Sequence, residues 1–228
     1  MIVFISGMQR SGSTFSFNIV RELLERRGTI YQEPFHDLLP VIERAGDADH
    51  VVLKAHTADD TTIRLVRLGA IKTICTVRKP EDAIASWIET FGFNLEESIE
   101  RLRGWFVMFE QIRRHALIVP YALIDRHPRR AAWLIARYMC PDASRIEVIR
   151  IALRYSKNNV IKISQNLQKD APIIHDIGYS YYDEKTFFHR CHVSSLVTKP
   201  AIARIGEDAV RSIREALRAH VDPNGDIL

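Results

Sequence analysis

The chain has 228 residues, of which 46% are hydrophobic and 26% are charged, and its formal net charge is +4. This composition is typical of a globular chain, and the length suits one domain over residues 1–228. The basic residues are scattered and the apolar runs are short, which argues against a nucleic-acid partner and a membrane-spanning segment. The three cysteines are widely spaced, and we expect a cytoplasmic protein without a signal peptide or disulfide framework.

The first motif follows the apolar strand pattern of residues 1–5 and reads Gly-Met-Gln-Arg-Ser-Gly-Ser-Thr from Gly7 to Thr14. A strand, a glycine-bracketed turn and a helix start form the context in which backbone N–H groups converge on a phosphate. The two glycines have Walker A spacing, but Ser13 stands where a nucleotide triphosphatase has lysine. The cation of the loop is Arg10 instead, which is better suited to a shorter phosphate chain.

The rest of the chain alternates between strand and helix patterns. Further strands are predicted at 29–32, 51–56, 71–77 and 116–121. Helices are predicted from the motif to about residue 28 and at 37–44, 59–68, 80–91, 94–109, 129–138, 142–155 and 202–220, with an irregular loop at 179–199. This alternation predicts an α/β protein with a P-loop-type three-layer fold, in which a central parallel sheet of four to five strands has helices on both faces.

Several polar side chains fall at predicted strand ends: Arg10, Glu33, Lys54, His56 and Arg78. Each has an ordinary structural alternative, such as a helix-capping role for Glu33 or a solvent-facing position for Lys54. Ligands of parallel sheets bind at the carboxyl ends of the strands. Because independent strands would deliver these groups to one rim, we predict a shared binding site there.

Three blocks resemble the sulfotransferases that use 3′-phosphoadenosine 5′-phosphosulfate (PAPS). Residues 9–14 resemble the family's loop for the 5′-phosphosulfate, especially in bacterial carbohydrate-type members. Residues 77–87 resemble its 3′-phosphate element, and residues 121–128 resemble a later strand and helix entry, although Ala122 replaces the usual glutamate. The resemblance implies PAPS as the cofactor, 3′,5′-adenosine diphosphate (PAP) as its product, and these cofactor-binding residues: Arg10, Ser11, Gly12, Ser13, Thr14, Arg78 and Ser86.

Two weaker matches concern the general base. Glu33, which precedes a proline, resembles the glutamate base of carbohydrate sulfotransferases, whereas Lys54-Ala55-His56 resembles a stretch of cytosolic members in which the histidine is the base. The acceptor hydroxyl must lose a proton during attack, and we favour Glu33 over His56 because the loop resembles the glutamate-using branch more closely. By the same resemblance, Lys54 neutralises the sulfuryl oxygens and Arg10 stabilises the leaving oxygen.

The sequence departs from the cytosolic branch in lacking the Arg-Lys-Gly stretch that closes over the cofactor. Residues 189–195 resemble a His-Val-Ser stretch of some bacterial members and predict a substitute clamp with Arg190 and His192. The resemblance implies direct transfer of a sulfuryl group, without a metal ion, to a hydroxyl of a sugar, lipid or small-metabolite acceptor.

Two other functions are compatible with the motif. The first is a small-molecule P-loop kinase, which would use ATP and Mg²⁺ but would need a lysine where Ser13 stands. The second is a nucleotide-binding module without catalysis. The joint presence of Arg10, Glu33, Lys54 and His56 argues against the second alternative.

Overall fold

The computed structural model describes residues 1–34, 37–178, 180–190, 193 and 199–227. Its main sheet has five parallel strands in the spatial order β2-β3-β1-β4-β5. These strands are β1 (Ile2–Gly7), β2 (Ile30–Pro34), β3 (His50–Ala55), β4 (Lys72–Val77) and β5 (Ala116–Pro120). Each overlaps a segment predicted as a strand, which confirms the parallel α/β sheet.

Helices account for most of the remaining described residues. They are α1 (Ser13–Glu25), α2 (Leu38–Ala45), α3 (Asp60–Arg67), α4 (Pro80–Phe91), α5 (Leu95–Ile112), α6 (Tyr121–Arg126), α7 (Pro128–Met139), α8 (Arg145–Arg154), α9 (Lys157–Gln165), α10 (Ile202–Ile205) and α11 (Glu207–Ala216). In this part of the chain, none of them combines the length and apolar character needed to cross a bilayer.

Helices cover both faces of the sheet because strand side chains alternate between two cores. Val3 and Ile5 of β1 point into a core that they share with α1, α7 and α8. Phe4 points to the opposite face, where α2, α3, α4, α5 and α11 complete the second core. The predicted three-layer arrangement is therefore confirmed.

The C-terminal part differs from the sequence prediction. The single helix predicted at 202–220 is divided into α10 and α11 at Gly206, whose φ of 84° and ψ of 163° are incompatible with a continuous helix. Apolar residues recur at helical spacing on both sides of this glycine, which is why the pattern predicts one element.

Short elements also occur where none was predicted. The irregular loop predicted at 179–199 contains β7 (Tyr181–Asp183), which pairs with β6 (Ile174–Asp176) in an antiparallel hairpin. Tyr121, the last residue of the strand predicted at 116–121, instead begins α6 directly after Pro120. These elements have three to six residues, too few for a clear hydrophobic period.

Candidate active site

Two glycines shape the loop between β1 and α1. A Cβ atom on Gly7 would lie 2.3 Å from the Cβ of Ser13, so no larger residue fits between the strand and the helix. Gly12 has a φ of 89°, and a Cβ atom there would lie 2.9 Å from Ile124 Cδ1. Glycine adopts such conformations without steric cost. The course of the loop therefore depends on both glycines.

Ser11 stabilises this loop from inside. Its N–H donates to the Met8 carbonyl at 3.1 Å, and its hydroxyl donates to the same oxygen and lies 2.6 Å from Thr76 Oγ1. Ser11 is fully buried and is not among the described residues that line the adjacent cavity. The geometry thus gives Ser11 a role in shaping the loop. In this arrangement its N–H and its hydroxyl both donate to Met8, so neither is available for the contact with a cofactor that the sequence predicts.

The first turn of α1 is suited to an anion. The first N–H groups of an α-helix have no partner within the helix, and the helix dipole adds partial positive charge there. Gly12 occupies the N-cap position without a capping side chain, and the first turn contains no acidic residue. Ser13 and Thr14 line the cavity, so this helix end offers hydroxyl and backbone donors together.

A cavity of about 990 Å³ opens at this end of the sheet. It brings together most of the predicted site residues: Arg10, Gly12, Ser13, Thr14, Lys54, His56, Arg78 and Ser86. They come from the carboxyl ends of β1, β3 and β4, from the start of α1 and from α4, as expected for a parallel sheet. Among the described residues, no group of three or more His, Cys, Asp or Glu side chains could hold a metal ion.

Arg10 connects the loop to α4. Its Nε donates to Ser86 Oγ at 3.1 Å and its Nη2 donates to Thr90 Oγ1 at 3.2 Å. The guanidinium carbon also lies 5.5 Å from the centre of the Phe91 ring. Arg10 has a φ of 62°, which is unfavourable for a non-glycine residue. The Arg10–Ser86 hydrogen bond joins two residues that the sequence assigns to opposite ends of the same cofactor.

Arg78 follows β4 and packs against the same loop. Its guanidinium lies 4.2 Å from the centre of the Tyr121 ring, a distance at which a cation interacts favourably with an aromatic face. Burial lowers the pKa of Arg78 from its ordinary value, but arginine stays charged at neutral pH. Arg78 therefore contributes a half-buried positive charge to the cavity wall.

Lys54 and His56 line the cavity where β3 ends. Nδ1 of His56 lies 2.6 Å from the Gly7 carbonyl oxygen. Because that oxygen can only accept a hydrogen bond, Nδ1 carries the proton and Nε2 is the basic nitrogen. Burial and the charge of Lys54 lower the pKa of His56 to about 4, and burial lowers the pKa of Lys54 to about 8. At pH 7, His56 is therefore neutral and Lys54 is mainly cationic.

Glu33, the favoured candidate for the base, does not join this group. Its carboxylate forms an ion pair with Arg44 of α2 and accepts a hydrogen bond from the Tyr31 hydroxyl at 2.6 Å. Burial raises the pKa of Glu33, but the hydrogen bonds from Arg44 and Tyr31 outweigh it and lower the pKa. Glu33 is not among the described lining residues. The geometry therefore does not support the preference for Glu33, and His56 is the better-placed candidate.

The predicted clamp at 189–195 is described only in part. His189 lines the cavity, and its ring centre lies 5.8 Å from that of Phe91. Burial and the charges of Lys54 and Arg10 lower the pKa of His189 to about 4. The Arg190 side chain is exposed and is not among the described lining residues, whereas His192 lies outside the described residues.

A buried asparagine ties α1 to the segment that precedes His189. Nδ2 of Asn18 donates to the main-chain oxygen of Thr14 and to that of Thr186, both at 2.8 Å. Thr186 is followed by Phe187 and by Phe188, which lines the cavity. Asn18 therefore links the first turn of α1 to the aromatic wall of the cavity.

The cavity also contains cations that the motifs do not predict. Lys199 and Arg204 reach it from the C-terminal part of the chain, and Arg101 reaches it from α5. The Arg204 side chain forms an ion pair with Glu89 and is 7% exposed. These residues lie outside the three blocks that resemble the sulfotransferases. In the sequence, only the overall excess of basic residues indicates further cations.

Comparison with protein-family models finds no match, and no curated protein sequence matches the chain. Among solved structures, mouse sulfotransferase SULT7A1 complexed with PAP has a TM-score of 0.69 and 13% identity, covering 99% of this chain and 86% of that one. Retinol dehydratase in complex with androsterone and inactive cofactor PAP has a TM-score of 0.60 and 12% identity, covering 96% and 80%. The chain thus has the α/β fold of these PAP-complexed proteins, which is a sulfotransferase fold.

Proposed function

We propose that this protein transfers a sulfuryl group from PAPS to an acceptor hydroxyl by direct in-line displacement. The observation that carries the proposal is the gathering of Arg10, Lys54, His56 and Arg78 around one cavity at the start of α1. The fold shared with two proteins whose structures contain PAP supports the same donor. PAPS would supply the activated sulfuryl group, whose bridging oxygen leaves with the 5′-phosphate.

The residues of the cavity fit a donor with two separate anionic groups. The uncapped first turn of α1, with Ser13 and Thr14, suits the 5′-phosphosulfate. Arg78 and the hydroxyl of Ser86 suit the 3′-phosphate, since a guanidinium matches phosphate geometry well. Ser13 leaves the loop without the lysine that a nucleotide triphosphatase uses, which makes a triphosphate the poorer fit.

His56 is the proposed general base. Its Nδ1 is committed to the Gly7 carbonyl, so Nε2 is the nitrogen that would take the proton from the acceptor hydroxyl. Burial and Lys54 keep the imidazole neutral, and a base must be unprotonated before the reaction. Negative charge arriving in the cavity would raise the pKa of this histidine and make it a stronger base.

Lys54 and Arg10 are the proposed electrostatic stabilisers. Lys54 is a cation close enough to His56 and His189 to lower the pKa of both. Arg10 is held on α4 by Ser86 and Thr90, which fixes its charge before ligands bind. Preorganised positive groups of this kind stabilise charge that develops in a transition state without further reorganisation.

The proposed acceptor is a small hydroxyl-bearing molecule such as a sugar, a lipid or a metabolite. The cavity that His56 and Lys54 line is also lined by the rings of Trp87, Phe91, Phe188 and His189, which can pack against an apolar or ring-shaped acceptor. We propose that the protein acts in the cytoplasm, where its cysteines would remain reduced.

Thermal unfolding with nucleotides tests the donor assignment. We expect PAP to raise the unfolding temperature without magnesium and adenosine 5′-monophosphate to do so much less, because it lacks the 3′-phosphate. A ligand at 100 times its Kd stabilises a protein by about 2.7 kcal/mol, which is readily measured. Stabilisation by ATP only in the presence of magnesium would instead support the kinase.

Sulfuryl transfer itself is tested by an acceptor screen with a radiolabelled sulfate donor, followed by mass analysis of the products. Label should pass to hydroxyl compounds and the His56→Asn variant should be nearly inactive. Binding of PAP without transfer to any acceptor, even at high enzyme concentration, would favour the non-catalytic module.

A further inference from the structure

Helices α7 and α8 form an outward surface on one side of the molecule. They are joined by the short segment 140–144, which makes them antiparallel neighbours, and their inner faces enter one core. Their outer faces carry arginines and large apolar side chains together. We name this surface the α7–α8 face; Arg129, Arg130, Trp133, Leu134, Ile146 and Arg150 are its main exposed residues.

Positive charge is concentrated on this surface. Residues 126–154 contain seven arginines and two acidic residues, whereas the whole chain has a net charge of +4. The expectation that the basic residues are scattered is therefore wrong for this segment. The two acids, Asp142 and Glu147, are already paired with Arg27. Within the described part of the chain, Arg129, Arg130 and Arg150 form no ion pair.

Large apolar side chains lie between these arginines. Trp133 is 38% exposed, Leu134 37%, Ile146 64% and Leu153 44%. Isolated exposed hydrophobic residues are normal on a protein surface. Four of them on two adjacent helices, interleaved with unpaired arginines, form the combination found on helices that bind at a lipid–water interface.

We propose that the α7–α8 face docks the protein onto a bilayer that contains anionic lipids. The arginines would interact with the anionic headgroups, and Trp133, Leu134 and Ile146 would enter the interfacial region. Nucleic acid fits this surface less well, because exposed leucine and isoleucine side chains gain no favourable free energy from contact with phosphates.

The α7–α8 face adjoins the candidate active site. Pro128 at the start of α7 and Tyr155 after the end of α8 both line the cavity. Docking would therefore bring the cavity close to the membrane, where hydroxyl groups of lipids are concentrated. This last consequence rests on the proposed function, but docking itself does not, and it can be measured without a sulfuryl donor.

Co-sedimentation with vesicles tests the proposal. The full chain is mixed with vesicles of phosphatidylcholine alone, or of phosphatidylcholine with about 30% phosphatidylserine, at low salt. We expect binding to the anionic vesicles and little to the neutral ones. Each arginine near an anionic surface should contribute about fivefold to partitioning, so Arg129→Glu with Arg130→Glu should weaken binding by about 20-fold or more.

Two further variants separate the apolar and the electrostatic contributions. Trp133→Ser should weaken binding to anionic vesicles several-fold without a change in net charge. Arg64→Glu with Arg67→Glu is the matched control, because these exposed arginines lie on α3, against the other core. Unfolding temperatures and circular dichroism verify that each variant is folded. Because acids in the first turn of a helix are favourable, the change at Arg129 and Arg130 should not unfold α7.

Three outcomes would overturn the proposal. They are failure of the unchanged protein to bind anionic vesicles, equal weakening by the control pair on α3, and binding that is insensitive to Trp133→Ser. Retention of single-stranded RNA that is lost on charge reversal, with no vesicle binding, would show a nucleic-acid surface instead. If docking is seen but no sulfuryl transfer is found, the proposed function fails and the docking surface stands.

Discussion

Nη1 of Arg78 donates a hydrogen bond to the main-chain oxygen of Arg10 at 3.0 Å. The residue at the end of β4 thus helps to hold the loop that follows β1. The same residue, Arg10, extends its own guanidinium to Ser86 and Thr90 of α4. Arg78 is therefore expected to affect both ends of a bound nucleotide.

The variant Arg78→Lys tests this connection. Lysine keeps the charge but cannot maintain both the contact with the Tyr121 ring and the bond to the Arg10 carbonyl. Hydrogen bonds to charged groups are worth about 1.5–3 kcal/mol, so the Kd for PAP measured by titration calorimetry should rise about 10- to 100-fold. Arg137→Lys, at an exposed position on α7, is the control. An unchanged Kd would remove Arg78 from the binding site.

His56 and Glu33 can be distinguished by two substitutions. His56→Asn retains an N–H that can donate to the Gly7 carbonyl but lacks the basic nitrogen, and kcat should fall by about 10²- to 10⁴-fold. PAP should still bind. Glu33→Gln should leave kcat close to that of the unchanged enzyme because its carboxylate is paired with Arg44. Loss of activity in Glu33→Gln alone would restore glutamate as the base.

The pH dependence of kcat/KM should show the state of Lys54 in the free enzyme. Because the pKa of Lys54 is about 8, kcat/KM for the donor should decline above this pH as the lysine loses its charge. When the pH is lowered from 7 to 6, the range in which an ordinary histidine becomes protonated, kcat/KM should not decline, because the pKa of His56 is about 4. In Lys54→Arg the alkaline decline should move to higher pH; if it does not, another group is responsible.

The free energy of unfolding should decrease in mild acid because the cavity holds two histidines with lowered pKa values. The pKa values of His56 and His189 are lowered to about 4 in the folded protein, whereas histidine in an unfolded chain titrates at about 6.5. Between these values the unfolded state binds more protons, so the free energy of unfolding decreases as the pH falls from 6.5 to 4. Urea denaturation at several pH values measures this. His56→Asn should reduce the slope.

Glycine replacement in the loop should abolish nucleotide binding. In Gly7→Ala the new methyl group would overlap Ser13 and Thr76, which displaces the start of α1. PAP should then no longer raise the unfolding temperature. Gly69→Ala is the control, because the positive φ of that residue makes alanine unfavourable there but no atom lies within 4 Å of the added Cβ. Equal effects of both changes would indicate general destabilisation.

Much of the fold could be predicted because each strand has its own local signal. The runs that became β3 and β4 are apolar and bounded by turn residues, and parallel strands place their carboxyl ends at one edge. The neighbourhood of Lys54, His56 and Arg78 follows from that topology alone. Such predictions need no side-chain detail.

The base assignment needed information that the sequence does not contain. Glu33 lies at a strand end like the others, but its environment is set by Arg44, whose orientation depends on how α2 packs. The same holds for Lys199 and Arg204, which reach the cavity only because the chain returns to α4 at its C-terminus. Local spacing cannot show such returning contacts.

The two hydrogen bonds of Asn18 connect the proposed donor site to the wall against which the acceptor would bind. One amide group spans the first turn of α1 and the segment that leads to Phe187 and His189. The rings of Phe17 and Phe187, 4.6 Å apart, and the Lys185–Glu25 ion pair join the same two elements. A nucleotide bound at the start of α1 would therefore also stabilise the aromatic wall of the cavity. The acceptor site would then be complete only after the donor has bound, so we expect a sequential kinetic mechanism in which the donor binds first.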